Sequence, residues 1–413
     1  MLFHFLLSSF PSLRYNTIRK IRKHLLHGDK KMNEILNSER TAAVISLEAI
    51  QNNYAAIRRA FPGQKILSVL KADAYGHGIS GIAALCSAYT DQFAVATVEE
   101  GARLRAAGAD KPTLLFGPVP EGKIAEAARL GLSFSIGSLS YAQKVQEILS
   151  REGLKADCHL KIDTGFNRTG FPYRQGGDRA EAVLRELLQV YSLSCLQVKG
   201  TYTHLPDPES DDPEEVAFTD LQLSSFREVL AKIRAAGFDP GICHALSTGG
   251  ALKRKEDKFD MIRVGMLVYG QCDSLEHAKE LGIRQALRWS SRVAAIREIA
   301  PGETVGYGRT FRAQRPTRLG VVSVGYADGY RRNYQGLEVL CGGKRVPILG
   351  RICMDFLMID LTDLPDPKEG MEVVLLGSQG DEEITAMEIA AARESTCGEV
   401  TAAINERVPR YYR

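Results

Sequence analysis

One lysine of this chain stands where an amine can react. Lys71 follows the apolar run 66–70 and opens a small-residue turn, Val69-Leu-Lys-Ala-Asp-Ala-Tyr-Gly-His-Gly78. An amine leaving a buried strand is poorly solvated, which disfavours its charged form and favours the neutral amine that forms a Schiff base. By itself the same residue reads as a surface lysine at a strand end. Arg263 lies within the apolar run Met261-Ile-Arg-Val-Gly-Met-Leu-Val-Tyr-Gly270, where an unpaired charge is costly, so a partner is implied; a salt bridge is the plain explanation. Tyr307 lies between two glycines in Glu303-Thr-Val-Gly-Tyr-Gly-Arg-Thr-Phe311 and, alone, reads as a turn aromatic. His204 in Thr203-His204, alone, reads as a satisfied core histidine.

These residues need a frame. From about residue 42 to 280, short β-rich runs alternate with helix-length amphipathic segments. The strand candidates are 66–70, 92–97, 112–116, 133–136, 157–162, 198–203, 241–245 and 262–268, and segments such as 122–130, 180–190 and 218–236 show helical apolar spacing. Eight strands separated by helices predict a (β/α)8 TIM-like barrel, whose active-site groups gather at the carboxyl ends of strands. A doubly wound open sheet is the competing α/β plan, but it has no reason to stop at eight. After about residue 285, helix-length runs nearly vanish and strand-like pieces follow closely, at 291–299, 319–324, 344–349, 356–361 and 372–376, with one late helix near 387–394. The expected organisation is a leader (1–31), a barrel (32–285) and a mostly antiparallel β domain (286–413).

Composition sets limits. The 413 residues suffice for two cores, and 44% hydrophobic with 25% charged content is ordinary for a globular protein. A formal charge of +3 gives no case for nucleic acid or a membrane surface. Residues 1–31 hold seven Lys/Arg against one acid, leaving 46 basic and 49 acidic residues elsewhere, so the body is mildly acidic. The leader's apolar run 2–7 is too short to span a bilayer, and its charges follow that run, unlike a secretory signal. Its Arg-rich, acid-poor composition hints at a transit peptide; the plainer expectation is a disordered extension ahead of a start at Met32. The eight cysteines are scattered without a C-x-x-C pair and no zinc site is legible, which fits reduced thiols in the cytoplasm.

Taken together, the strings from residue 69 to Arg407-Val-Pro-Arg410 resemble the alanine racemase family. The resemblance implies a homodimeric amino-acid racemase dependent on pyridoxal 5'-phosphate, acting on a small amino acid, with alanine destined for peptidoglycan. Racemisation removes an α-proton and returns it on the opposite face, so it needs an electron sink, which this cofactor supplies, and a base on each face. The family assigns these bases to Lys71, which also binds the cofactor, and to Tyr307, which reaches a partner subunit's site. A phenol of ordinary acidity serves as a base at neutral pH only beside cations or donors, here His204 or a nearby arginine. Arg263 is implied to face the pyridine nitrogen, and His204 to lie near the cofactor ring. Tyr75, Ser247, Gly265 and Met266 are the phosphate candidates. In His159-Leu-Lys-Ile-Asp-Thr-Gly-Phe-Asn-Arg-Thr-Gly170, Arg168 is implied to orient the cofactor phenolate and substrate carboxylate, with Lys161 carbamylated to hold it. Tyr326, Met354 and Asp355 complete the substrate contacts.

The chain departs from the family in places. Gly398 in Ser395-Thr-Cys-Gly-Glu-Val400 stands where a tyrosine is usual, which removes a phosphate donor and widens the pocket, so a serine or broad-specificity racemase is the alternative. Leu246 replaces a frequent asparagine, and Phe356 a common glutamine. A basic amino-acid decarboxylase shares this domain plan, but its usual cysteine-centred motif is missing from the β domain. Non-catalytic barrels that carry the same cofactor lack a β domain.

Overall fold

The computed structural model describes residues 38–272 and 275–413. The leader expected at 1–31 lies outside the described residues. The chain divides into two compact units. Among described residues the first comprises 57–72 and 82–268, and the second 38–56, 73–81 and 269–413.

The first unit is the eight-stranded parallel barrel that the alternation predicts. Its strands run in the spatial order Met261–Val264, Lys65–Val69, Gln92–Val95, Thr113–Leu115, Leu132–Ile136, Ala156–Asp163, Leu196–Tyr202 and Ile242–His244. The two ends of this order meet through backbone bonds, Asp260 N–H to Cys243 O at 3.0 Å and Arg263 N–H to Leu246 O at 3.1 Å. The eighth candidate, 262–268, is shorter than expected: the strand stops at Val264, and Met266–Tyr269 turns as a 3-10 segment.

Parallel barrel strands are covered on both faces, so serines in Leu132–Ile136 are as buried as its apolar residues. The lumen side is polar, and its groups bond one another. Ser135 Oγ lies 2.6 Å from the Tyr202 hydroxyl, and the Tyr202 ring stacks on His244 at 4.9 Å.

The second unit is a nine-stranded, mostly antiparallel sheet, ordered Lys344–Pro347, Glu338–Cys341, Glu372–Gln379, Leu287–Ile299, Thr41–Ile45, Arg410–Tyr412. Thr317–Val322 pairs with both Leu287–Ile299 and Leu357–Asp360. Thr41–Ile45 was not anticipated from the sequence. All five of its residues are buried, and Thr41 Oγ1 accepts from the Trp289 indole N–H at 2.8 Å. The late helix expected near 387–394 is Ala386–Ala391, and a second short helix, Cys397–Ala402, follows it. Thr385 and Thr396 each accept an N3 backbone N–H, and Glu394 at φ 49° ends the first run. Among the described residues no helix is long and apolar enough to cross a membrane.

The register places Gly200 opposite both His159 and Ile242. A Cβ there would lie 2.6 Å from the His159 ring and 2.7 Å from Ile242 O, so the absence of a side chain lets the lumen close around this histidine. Gly200→Ala should cost about 1–3 kcal/mol by overpacking. Urea unfolding checks this, and an unchanged midpoint would contradict the packing described.

Candidate active site

Lys71 opens a single helical turn, Lys71–Tyr75, of unusual hand. Ala72, Asp73, Ala74 and Tyr75 all have φ between 52° and 58°, the left-handed region. Each such residue costs roughly 1–2 kcal/mol, so the turn persists only because neighbours over-determine it. Ala72 N–H donates to Glu100 Oε1 at 2.7 Å, and Glu100 Oε2 accepts from Ala96 N–H at 2.8 Å. His77 Nδ1 lies 3.0 Å from the carbonyl oxygens of both Ala74 and Tyr75.

In the second unit, Arg410 Nε donates to Gly76 O at 3.1 Å, and the Tyr412 hydroxyl donates to His77 O at 3.1 Å. Gly76 sits at φ 81°, and a Cβ on it would meet Thr401 O at 2.1 Å. The chain's last strand and last helix therefore lock the glycine-histidine-glycine end of the turn.

In the first unit the barrel strands deliver four cations to one locality. Lys71 follows Lys65–Val69, Lys161 lies in Ala156–Asp163, Arg168 in the loop after it, and Arg263 in Met261–Val264. All four fields act on His204, whose pKa is pushed down to about 2 by burial first and then by these charges. Burial lowers the Lys71 amine, the Arg168 cation lowers it further, and Glu100 opposes both. Burial and the same arginine bring Lys161 to about 8; its ammonium donates to Thr169 Oγ1 at 2.6 Å.

The loop carrying Arg168 is wound around a buried carboxylate. Asp163 accepts the backbone N–H groups of Gly165, Asn167 and Arg168 at 2.9 to 3.0 Å, and the Arg168 guanidinium lies over the Phe166 ring at 4.1 Å. Arg263 is buried and held by neutral acceptors. It donates to Ala245 O at 2.6 Å, and to Nδ1 of both His244 and His204 at 3.1 Å. These partners, not a carboxylate, satisfy it. Ser247 precedes helix Thr248–Lys253 with its side chain uncommitted as a cap, and Gly265 N–H donates to Thr248 Oγ1 at 3.3 Å. Met266 begins the following 3-10 turn.

Tyr75 falls in the second unit, its ring 5.4 Å from that of Tyr269, and burial raises its phenol to about 12. The second unit also carries Tyr307, Tyr326, Met354 and Asp355. Tyr326 N–H donates to Cys353 O and Ala327 N–H to Met354 O, both at 3.0 Å, which seats the Tyr326–Asp328 turn on the Met354 segment. Arg407 donates to Asp355 at 2.7 Å and lies 3.6 Å from the buried Asp328.

Gly306 and Gly308, at φ 69° and 73°, bring the Tyr307 loop against Arg351: a Cβ would sit 3.3 Å from Arg351 O at the first and 2.9 Å from its guanidinium at the second. The Arg332 guanidinium lies 5.7 Å from the Tyr307 ring centre. Tyr307 (62%), Met354 (53%), Phe356 (45%) and Tyr326 (38%) are all exposed, so this face presents aromatic and apolar surface to solvent.

Residues 45–273 match the family model of the alanine racemase N-terminal domain, and residues 286–412 that of the alanine racemase C-terminal domain. The chain belongs to the alanine racemase family. Alanine racemase 2 of Caldanaerobacter subterraneus is 35% identical over 375 residues, 90% of this chain and 94% of that protein. The alanine racemase of Carboxydothermus hydrogenoformans is 35% identical over 373 residues, 90% and 98% of the two chains. The crystal structure of alanine racemase from Bacillus anthracis with bound L-Ala-P superposes with a TM-score of 0.82 at 31% identity, covering 91% of this chain and 95% of that one.

Within this alanine racemase family member, several supporting residues escaped the sequence reading: Glu100, His77, Tyr412, and His159 with its lumen neighbours. One signal was present. His159, Lys161 and Asp163 alternate with Leu160 and Ile162, and that period of two marks a polar lumen face. Gly398 is half-buried in helix Cys397–Ala402, and Leu246 is buried with its carbonyl accepting from Arg263 N–H.

The buried imidazoles set an acid limit on stability. Burial holds His77 and His159 down to about 4, His204 to about 2, and His244 well below its ordinary 6.5. Above 6.5 neither the folded nor the unfolded chain protonates these rings; below it the unfolded chain alone takes up protons. Stability is therefore fully present above that value and falls as pH drops through it, by roughly 1 kcal/mol per imidazole between about pH 7 and about pH 5.5. Urea unfolding at the two pH values measures this, and equal stabilities would refute it.

Proposed function

We propose that the chain interconverts L- and D-alanine by a two-base mechanism, with pyridoxal 5'-phosphate held at the carboxyl end of the barrel. The observation that carries this reading is Lys71, a desolvated amine beside the Arg168 cation at the end of a barrel strand. The surroundings fit such a cofactor, because the Arg168 and Arg263 cations and the two weakened amines Lys71 and Lys161 converge there, and an anionic, phosphate-bearing group offsets the guanidinium charge. When bound, the cofactor supplies the electron sink that makes the substrate α-proton removable.

The chain's own residues do the rest. Lys71 would hold the cofactor through its amine and would move the α-proton on one face. Arg263 would hold the ring nitrogen with a donor that does not give up its proton, and His204, kept neutral, would adjoin the ring. Tyr75, Ser247, Gly265 and Met266 would serve the phosphate. Arg168 anchors the substrate carboxylate, together with Met354, Asp355 and Tyr326. Lys161 near a pKa of about 8 keeps a neutral fraction able to take up carbon dioxide, and the resulting carbamate would hold Arg168 in place.

Tyr307 provides the base on the other face, in the site of a second subunit. Its exposure, shared with Tyr326, Met354 and Phe356, suits a homodimer interface. We place the enzyme in the cytoplasm, supplying D-alanine to peptidoglycan synthesis.

Mixing inactive Lys71→Ala and Tyr307→Phe subunits should restore up to about a quarter of wild-type racemisation, since half of random dimers then contain one intact site. No restoration would refute the shared site. Borohydride should fix the cofactor onto the peptide that carries Lys71; labelling elsewhere would refute its role.

A further inference from the structure

The polar groups of the barrel lumen line up as one hydrogen-bonded file. Arg263 Nη1 lies 3.1 Å from His244 Nδ1, His244 Nε2 lies 3.1 Å from His159 Nδ1, and His159 Nε2 lies 3.3 Å from the Gln92 side-chain nitrogen. All four side chains are buried. At its far end, Gln92 and His159 line a cavity of about 1070 Å³ at the amino ends of the strands, rimmed by exposed Lys65 and Asp91.

Arginine has donors and no acceptor, and this fixes every proton along the file. The Arg263 N–H requires a bare Nδ1 on His244, so the His244 proton sits on Nε2. That N–H requires a bare Nδ1 on His159, so the His159 proton also sits on Nε2. The final N–H needs an acceptor, which an amide nitrogen is not. Gln92 Oε1 is buried with no partner. Turning the amide over, a choice that hydrogen bonding decides, sets this oxygen against the His159 N–H as its acceptor and moves the amide –NH2 to the place the oxygen held, on the cavity side.

We propose that Gln92 and His159 are positioning residues: the Gln92 oxygen fixes the His159 tautomer, His159 fixes that of His244, and His244 then offers Arg263 a permanent acceptor. An imidazolium at either histidine would set N–H against N–H and break the file. Burial opposes that charge at both rings, reinforced at His244 by the Arg263 field. The groups packed on His244 are the Tyr202 ring, Arg263 and His159; Tyr202 is itself bonded to Ser135, and the Lys161 ammonium lies 5.7 Å from its ring. The proton placement stands on hydrogen bonding alone, whereas its effect on turnover rests on the role of Arg263 proposed above.

Long-range proton–nitrogen correlation on the ¹⁵N-histidine-labelled full-length enzyme at neutral pH reads the tautomers directly. His159 and His244 should both be neutral with the proton on Nε2; a proton on Nδ1 of either ring, or an imidazolium, overturns the proposal. Gln92→Leu should bring an Nδ1-protonated population to His159 and lower kcat for L-alanine about fivefold, the worth of one hydrogen bond, with KM unchanged. Gln92→Glu, which keeps an acceptor, should restore the wild-type rate and tautomer. Full activity in the leucine variant, or equal losses in both variants, overturns the positioning role. Either result leaves the functional reading intact, because that reading fails separately if borohydride labels a residue other than Lys71.

Discussion

The constraint on which this protein depends is desolvated positive charge. Lys71, Lys161, Arg168 and Arg263 all act on one imidazole at the end of the barrel. Taking charge out of water is expensive unless paired or hydrogen-bonded; Arg168 stays exposed, and the other three meet that cost differently. Arg263 spends its N–H groups on a carbonyl and two neutral rings. Arg168 lies over the Phe166 ring, on a loop wound around Asp163. The two lysines respond by becoming weaker bases. Chemistry follows from that last response, because only a lysine that gives up its proton readily can act as a nucleophile or base near neutral pH.

A second constraint is conformational. The turn that presents Lys71 has the wrong hand for L-residues across four positions, so it cannot be a local preference of the sequence. It is imposed by parts of the chain hundreds of residues away. The contacts of Tyr412 and Arg410 with residues 76–78, and the bare Gly76 against Thr401, show the C-terminal segment acting as a template for the turn. Packing of this kind is stiff.

Much of this was legible in the sequence and some of it was not. The barrel could be read because its strands are short apolar runs at regular intervals, and each helix between them shows its own period. The strand Thr41–Ile45 could not, because its antiparallel partner lies about 250 residues downstream and nothing local marks it as separate from the barrel rhythm. The late helix near 387–394 was legible, but the six-residue Cys397–Ala402 after it was too short to show an apolar period; it starts anew at the Thr396 cap after Glu394 turns left-handed. Arg263 stood out as a charge within an apolar run, whereas Lys71 and Tyr307, ordinary by themselves, were raised by the strings around them. Glu100 did not, since an acid in the first turn of a helix looks like ordinary capping, which it also performs at Thr97.

The choice of partner for Arg263 carries the argument furthest. A carboxylate opposite this guanidinium would satisfy it equally well by hydrogen bonding, yet would cancel a positive charge at the barrel end. A neutral imidazole accepts the same N–H while leaving the charge in place. Neutral imidazole is itself protonatable, so this solution works only where burial and a fixed tautomer forbid a second proton. The cost is paid in stability at acid pH, because the rings of His159 and His244 must stay bare in a folded chain that water would otherwise protonate. A polar lumen closed around two neutral histidines is thus the condition for keeping a buried arginine both satisfied and positive.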